Sequence, residues 1–213
     1  MIPLVPRAKF PALQHSRWLF LALAIASLGY VAFSLVDAQS FQAYENWRLN
    51  QAAKNARQPS AQAESKVVSA SLSLRDHSQR KTLALGSVLG RVEIGRIGVA
   101  VIIVEGTSGK TLRRAVGHVP GTALPGEPGN VAITGHRDTF FRALRNIRED
   151  DEITIMTFNG SYRYRVDSMK VVEAEDTQVL NDSDESILTL VTCYPFYFVG
   201  PAPKRFIVRA HQT

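Results

Sequence analysis

The feature that most constrains this chain is a long apolar segment near its N-terminus. No charged residue occurs between Trp18 and Val36. Because an α-helix rises about 1.5 Å per residue, this segment can cross the roughly 30 Å hydrocarbon core of a bilayer. We therefore expect a transmembrane helix over residues 18–36. A buried core helix is disfavoured, since the segment has no polar side.

Basic residues before this segment predict its orientation. Arg7, Lys9 and Arg17 precede it, and the positive-inside tendency then leaves the N-terminus in the cytoplasm. We expect a single-pass protein of the cell membrane whose remaining chain is extracytoplasmic. A cleaved signal peptide is the alternative, because residues 36–38 loosely fit a cleavage site. The uncleaved anchor is favoured, since signal peptides have apolar regions of only about 7–15 residues.

Composition divides the rest of the chain into a linker and a folded domain. Residues 37–84 are rich in Gln, Ala, Ser, Asn and basic residues. The part up to Arg57 can continue as a helix, whereas Pro59 and the Ser-rich stretch after it indicate a flexible linker. With 213 residues, the chain has room for one folded domain, expected over residues 85–213, after a cytoplasmic N-terminus at 1–17.

The charge of the chain disfavours a nucleic-acid partner. The formal net charge is +6, but the basic residues are spread along the whole chain. No Lys/Arg-rich tract is interleaved with aromatic residues, as nucleic-acid recognition would require. Dispersed basic residues are typical of a solvated surface.

Short apolar runs separated by turns predict an all-β domain. The Asn159-Gly160 dipeptide between two alternating runs predicts a hairpin, and only Phe140–Arg148 has a helical pattern. About eight strands with little helix favour a closed or nearly closed, antiparallel-rich barrel. The predicted strands are Val92–Ile97, Gly98–Val104, Asn130–Thr134, Glu152–Phe158, Ser161–Val166, Met169–Glu173, Ile187–Thr192 and Arg205–Ala210.

The single cysteine of the chain, Cys193, lies at the end of a predicted strand. Exported chains normally pair their cysteines or lack them, so an unpaired one is either an inert buried thiol or a reactive one. Pro195 prevents the strand from continuing, and the last predicted strand begins at Arg205. If these two strands are antiparallel neighbours, the thiol and the guanidinium meet at the same rim of the sheet.

A histidine also follows a predicted strand. His136 comes directly after the run at 131–134 and a glycine, where a rigid scaffold often carries functional groups on its loops. An isolated histidine at such a place is more often a surface or capping residue. The combination with an unpaired Cys193 and an Arg205 that opens a strand favours a catalytic role for His136.

Three motifs resemble those of the sortase family. Thr189–Cys193 resembles the TLxTC signature of sortases, Arg205 matches the arginine of the family, and Gly135–Phe141 (GHRDTFF) matches the segment that bears the histidine. The resemblance covers roughly residues 85–210 as well as the N-terminal anchor. The stretch GHVPGTALPGEPGNVAITGHRDTFF is most similar to class D sortases.

The resemblance implies an eight-stranded sortase barrel and a transpeptidation that acts on secreted proteins with C-terminal, LPxTG-like sorting signals. Cys193 would be the nucleophile and form a thioester, His136 would transfer protons, and Arg205 would stabilise the oxyanion. An amine from the cell envelope or a protein lysine would accept the acyl group. No cofactor is expected.

Three neighbouring residues are candidates for substrate binding: Thr192, Tyr194 and Phe196. Thr192 either orients the nucleophile or is a simple strand residue. The two aromatic rings either line the groove for the sorting signal or pack beneath a loop. His118, which precedes Pro120, is expected in a loop.

An acidic cluster flanks the nucleophile strand, and either a calcium site or a solvated turn accounts for it. The turn is favoured because the spacing of the oxygen ligands is irregular, so no metal is expected. The cluster comprises Glu173, Glu175, Asp176, Asp182, Asp184 and Glu185.

Two alternative functions remain beside transpeptidation. One is a thiol peptidase that only hydrolyses its thioester, and the other is a non-enzymatic β-domain that binds a partner.

Overall fold

The computed structural model describes residues 11–57, 83–198 and 200–213. The chain forms two compact units, which divide between Ser40 and Phe41. The second unit contains a β-barrel, and the N-terminal helix α1, Pro11–Arg57, extends from the first unit into the second.

The N-terminal apolar helix is confirmed. Within the described residues, α1 is the one helix long and apolar enough to cross a membrane, with a mean hydropathy of 2.3 in its most apolar window. Its large apolar side chains are exposed, among them Trp18 at 68% and Phe33 at 70%. A helix that presents apolar side chains on all sides is suited to an apolar surrounding rather than to water.

The C-terminal part of α1 packs on the barrel, which differs from our expectation of a linker over 37–84. Leu49 is 5% exposed and forms a small apolar cluster with Ile102 and residues near it. The Gln42 amide accepts a 3.0 Å hydrogen bond from the Ile102 N–H and donates one of 2.7 Å to the Arg114 carbonyl. The tether predicted after Pro59 falls on residues 58–82, outside the described residues.

The predicted all-β barrel is confirmed as a closed sheet of eight strands in the order β1-β2-β3-β4-β7-β8-β6-β5. Pairing of β1 with β5 closes the barrel. The pairs β2–β3 and β4–β7 are parallel, and the others are antiparallel. The strands are β1 Val88–Ile94, β2 Val99–Glu105, β3 Val116–His118, β4 Asn130–Thr134, β5 Glu152–Thr157, β6 Ser161–Glu173, β7 Ile187–Tyr194 and β8 Lys204–Gln212.

The helical elements of the barrel unit are short. The helix α2 spans Gly109–Arg114, where the sequence predicted neither a strand nor a helix. The Ser108 hydroxyl caps it by accepting a hydrogen bond from the Thr111 N–H. The predicted helix at 140–148 is a 3₁₀ turn over Arg142–Asn146. Two further 3₁₀ turns lie at Gly95–Ile97 and Gln178–Leu180.

Two of the predicted strands are a single strand, and one strand was missed. The runs predicted at 161–166 and 169–173 are both parts of β6, in which the register shifts between Val166 and Ser168. This irregularity breaks the apolar alternation, so the sequence resembles two strands. The missed strand is β3, which has only three residues and is too short to show a period.

The hairpin between β5 and β6 turns one residue earlier than predicted. The Thr157 N–H donates a 2.7 Å hydrogen bond to the Gly160 carbonyl, which places Phe158 and Asn159 at the centre of the turn. The Thr157 side-chain oxygen accepts hydrogen bonds from the N–H groups of Asn159 and Gly160. A side chain that satisfies turn amides in this way shifts the turn without changing which strands pair.

His118 is not a loop residue but the last residue of β3, and it is 1% exposed. Its Nδ1 lies 2.6 Å from Oε2 of Glu105, which is 6% exposed. Its Nε2 lies 2.9 Å from the Ala123 carbonyl oxygen. Burial of a polar ring requires partners for both nitrogens, and the β2–β3 pairing supplies the acid partner.

The barrel interior is apolar and closely packed, with large, fully buried side chains such as Phe141, Ile133 and Leu190. Tyr164 is 1% exposed, and its burial raises the pKa of its phenol to about 12. These buried side chains form the packed core that holds the strands in place.

Candidate active site

Three neighbouring strands bring the cysteine, the histidine and the arginine to one rim of the barrel. Strand β7 lies between β4, to which it is parallel, and β8, to which it is antiparallel. Cys193 is the register partner of Arg205. On the other side, Thr134 pairs with Val191, so His136, two residues further along, is level with Cys193. Adjacent strands are only about 4.8 Å apart.

The side chains of Cys193 and Arg205 share the outer surface of the barrel. Leu188 and Leu190 belong to the interior cluster, and the alternation along β7 therefore directs Val191 and Cys193 outward. Directly paired residues of neighbouring strands have their side chains on the same surface. Arg205, which pairs with Cys193, is therefore on this surface as well. Cys193 is a free, partly exposed thiol.

The turn that carries His136 requires a glycine before it. A Cβ atom added to Gly135 would lie 2.8 Å from the Phe141 ring and 2.9 Å from a Val116 methyl group, closer than real Cβ contacts. The Gly135 N–H also donates a 3.1 Å hydrogen bond to the Val191 carbonyl. The parallel ladder between β4 and β7 therefore extends to the residue just before His136.

Thr192 is buried in the structure, so a role in substrate binding stays a prediction for this residue. Its side chain is 1% exposed, and its hydroxyl donates a 2.7 Å hydrogen bond to the Gly135 carbonyl. The hydroxyl points inward because Thr192 alternates with the outward-facing Cys193. The bond connects the strand end that bears the thiol to the turn that bears the imidazole.

The guanidinium of Arg205 is partly buried and is held by its own chain segment. Its Nη1 donates hydrogen bonds to the carbonyls of Ala202, at 3.1 Å, and Lys204, at 3.0 Å. Because a guanidinium has five N–H donors, those on its other two nitrogens stay available for a ligand at the rim.

The two aromatic candidates are partly exposed and pack together at the end of the barrel. Phe196 lies edge-on to Phe206, with ring centroids 5.4 Å apart, and both rings pack against the interior cluster. Tyr194 contacts the same two rings at 6.1 Å and 6.5 Å. Packing therefore accounts for much of their surface, and substrate contact through their exposed edges stays a prediction.

Nothing in the sequence indicated that Arg137 contacts the segment between β7 and β8. We call residues 195–203 the β7–β8 loop. The Arg137 guanidinium donates hydrogen bonds to three carbonyls of this loop, those of Pro195, Phe198 and Gly200, at 2.8–3.0 Å. Its position after His136 is visible in the sequence, but its acceptors lie some sixty residues further along the chain. Only the fold brings them together.

Two of the acidic residues near β7 form local turn contacts, and Glu173 forms an ion pair with Lys204 on β8. The Asp176 side chain accepts a hydrogen bond from the Gln178 N–H, and the Asp182 side chain accepts one from the Ser183 N–H. Within the part of the chain that the structure describes, no three His, Cys, Asp or Glu side chains are close enough together to hold a metal ion.

A carboxyl group with a lowered pKa, that of Asp151, lies away from this rim. Asp151 is held by Arg96, whose Nε and Nη2 both donate to its carboxylate. This ion pair, with a further hydrogen bond from the Arg148 N–H, lowers the pKa of Asp151. Asp151 precedes β5, and its partner follows β1, so this pair stabilises loops rather than the reacting groups.

A closed barrel with an unpaired cysteine at its rim is the arrangement of a class of cysteine transpeptidases. The Sortase domain family model matches residues 92–213, more than half of the chain. The chain therefore belongs to the sortase family, and it is a cysteine transpeptidase.

Individual relatives indicate a class D-like sortase. The chain is 33% identical over 196 residues to sortase D of Bacillus subtilis (strain 168), covering 88% of this chain and 92% of that protein. It is similar to the solved structure of a Clostridium perfringens sortase D5 transpeptidase, with a TM-score of 0.57 and 34% identity, over 62% of this chain and 82% of the other. A structure of Clostridium perfringens sortase C with the C-terminal cell wall sorting motif matches with a TM-score of 0.56 and 31% identity, over 61% and 72%.

Proposed function

We propose that this sortase cleaves a C-terminal, LPxTG-like sorting signal of secreted proteins and transfers the new acyl end to an amine. The observation that carries the proposal is the position of three residues around β7. Cys193 on β7 pairs with Arg205 on β8, and His136 follows β4, the strand on the other side of β7. A nucleophile, an oxyanion donor and a proton-transfer group at one rim are the set that acyl transfer requires. The sorting motif bound to the related sortase C supports the same substrate class.

The first half of the reaction forms a thioester. The Cys193 thiolate attacks the carbonyl carbon of the scissile amide, and Arg205 donates charge-assisted hydrogen bonds to the oxyanion. The C–N bond then breaks, and His136, protonated at this stage, gives its proton to the leaving amine. The products are an acyl thioester on Cys193 and the free C-terminal fragment of the sorting signal.

The second half transfers the acyl group. An incoming amine, from cell-envelope material or a protein lysine, attacks the thioester carbonyl while His136 accepts its proton. The C–S bond breaks and returns the Cys193 thiolate beside the imidazolium, ready for another cycle. Water in place of the amine gives hydrolysis, which is the outcome expected of a thiol peptidase.

The apolar helix α1 supports an anchoring role. We propose that residues 18–36 span the cell membrane once, with the N-terminus in the cytoplasm and the barrel outside, where secreted substrates pass. Arg17 and the basic residues before it in the sequence favour this orientation. Tyr194 and Phe196 are proposed to contact the sorting signal through their exposed ring edges.

The test uses the full-length protein in detergent micelles with a library of sorting-type pentapeptides, with and without an added amine such as triglycine. Mass spectrometry should detect an acyl adduct on Cys193 and, with the amine present, a ligated peptide. Hydrolysed peptide alone, at any amine concentration, would indicate the thiol peptidase. No adduct with any peptide, together with a thiol that does not react with iodoacetamide, would indicate a binding domain and contradict the proposal.

A further inference from the structure

We infer that Arg137 is a positioning residue that holds the β7–β8 loop against the turn of His136 and so sets the relative positions of the three reacting groups. The inference rests on the proposed function for the identity of these groups. It adds a residue that acts on the thiol and the guanidinium through the backbone of the loop between them.

The contacts of Arg137 are directed at one segment. Its Nη1 donates a 3.0 Å hydrogen bond to the Pro195 carbonyl, and its Nη2 donates to the carbonyls of Phe198, at 2.8 Å, and Gly200, at 2.9 Å. Its guanidinium carbon also lies 5.8 Å from the centre of the Phe198 ring. Three backbone acceptors for one planar side chain match the fork geometry of a guanidinium, which an ammonium lacks.

The hydrogen bonds of Arg137 connect two segments of the chain that carry the reacting groups. Arg137 directly follows His136, the β7–β8 loop begins two residues after Cys193, and it ends just before Lys204 and Arg205. One side chain therefore connects the turn of the imidazole to the segment between the thiol and the guanidinium. A displacement of the His136 turn is therefore transmitted to the β7–β8 loop, and the reverse, because the hydrogen bonds hold the loop by its backbone carbonyls.

The loop also has a defined conformation at the point where it is held. Gly200 has a φ of +108°, a region that other residues rarely adopt. The Phe198 N–H donates a 3.3 Å hydrogen bond to the same Pro195 carbonyl that Arg137 contacts. The acceptors of Arg137 thus belong to a turn with its own internal bond rather than to an arbitrary stretch of coil.

Arg145 offers a matched control within the same chain. It lies on the same connection between β4 and β5, and it also contacts the β7–β8 loop, with its guanidinium carbon 5.5 Å from the centre of the Tyr197 ring. This contact reaches an aromatic side chain that is 76% exposed and does not involve the backbone of the loop. Loss of Arg145 removes a cation at the loop but leaves the loop backbone held.

The experiment compares wild type, Arg137→Lys, Arg137→Gln and Arg145→Gln as full-length proteins in detergent. Amide hydrogen exchange of the β7–β8 loop, kcat and KM for a sorting peptide, iodoacetamide labelling of Cys193 and the melting temperature are measured for each. We expect both Arg137 variants to exchange faster in this loop and to lose about tenfold or more in kcat/KM, as misplacement of reacting groups does, with Gln losing more than Lys. Thiol labelling should stay near the wild-type rate, because β7 keeps its ladder.

Several results would overturn the inference. Wild-type kcat/KM in a folded Arg137→Gln variant would do so, as would reduced turnover with unchanged exchange in the β7–β8 loop. An equal effect of Arg145→Gln would show that charge near the loop suffices. If both Arg137 variants lose activity only in proportion to the protein that is unfolded, Arg137 stabilises the fold and does not position the reacting groups. If the wild type turns over no peptide, the proposed function fails, whereas hydrogen exchange still tests the contact with the loop.

Discussion

The hydroxyl of Thr192 donates a 2.7 Å hydrogen bond to the carbonyl oxygen of Gly135, and both groups are buried. The bond crosses from β7 to the turn after β4 at the point where the thiol and the imidazole emerge on neighbouring strands. We expect Thr192→Val to leave this carbonyl without its side-chain donor, which costs about 1–3 kcal/mol of the free energy of unfolding. We also expect a lower kcat/KM. Urea unfolding and peptide turnover measure the two effects.

Thr192→Ser is the control for that substitution, because it retains the hydroxyl and removes only the methyl group. Its turnover should exceed that of the valine variant, although the small cavity lowers its stability somewhat. If valine and serine variants have the same turnover, the hydrogen bond has no role in positioning the site.

Substitution of the rim residues should separate chemistry from folding. Cys193→Ala is expected to abolish the acyl adduct seen by mass spectrometry while the melting temperature changes little, because the thiol is partly exposed at a strand end. Full transfer activity in Cys193→Ala would refute the assignment of the nucleophile.

Arg205→Lys should lower kcat by about 10²–10³-fold, the effect of losing an oxyanion donor, because an ammonium cannot replace the planar guanidinium.

The two histidine–carboxylate pairs of the barrel should differ strongly in their contribution to stability. His118 and Glu105 are buried, whereas His211 and Asp167, 2.5 Å apart, have side chains that are 47% and 42% exposed. His118→Ala leaves the buried Glu105 side chain without its hydrogen-bond partner and should cost about 1–3 kcal/mol. His211→Ala should cost at most about 1 kcal/mol. Denaturant unfolding of both variants at pH 7 measures the difference, and equal losses would contradict the role of burial.

The ion pair between Arg96 and Asp151 should contribute to the acid dependence of stability. The hydrogen bonds from Arg96 lower the pKa of Asp151 below its value in the unfolded chain, so the folded state binds fewer protons. This stabilisation is present above the unfolded pKa of about 3.9 and is lost as the pH falls below it. Wild type should therefore exceed Asp151→Asn in stability at pH 6, with the difference shrinking at pH 3. A difference that stays constant between these pH values would contradict this assignment.

The part of α1 that packs on the barrel predicts where a stable catalytic domain begins. A protein that starts at residue 41 keeps Leu49 and Gln42 against Ile102, whereas one that starts at residue 85 loses both contacts. Burial of one leucine contributes about 1.5–3 kcal/mol, so the shorter protein should unfold at a clearly lower urea concentration. Equal midpoints for the two proteins would show that the helix adds no stability to the barrel.

Much of the fold could be predicted because its signals are local. Short apolar runs identified β4, β5 and β7: the bounds of β4 match the predicted ones, and those of β5 and β7 differ by one and two residues at their ends. Strand β3 could not be predicted, since three residues show no period and their stability comes from the strands on both sides. The docking of α1 could not be predicted either, because the side that it presents to the barrel mixes apolar residues such as Leu49 with polar ones such as Gln42.

Only part of the candidate site could be identified from the sequence. Cys193, His136 and Arg205 could be selected because each lies at the end or the beginning of an apolar run, and the TLVTC and GHR motifs support the choice. For Thr192 the sequence left open whether it orients the nucleophile or is a simple strand residue, because strand alternation alone does not say which side of a barrel wall is the interior. Arg137 was missed, since none of its three acceptors is marked by residue type: every residue has a backbone carbonyl.

The amino-acid sequence by itself determined the apolar helix near the N-terminus, the β character of the domain and the chemical types of the three reacting groups, since all of these depend on composition and on short-range order. The tertiary structure alone decided that β7 pairs with β4 and that Arg137 reaches the β7–β8 loop. These relations join residues about sixty positions apart. Their physical basis is the closure of the sheet into a barrel, which no local pattern encodes.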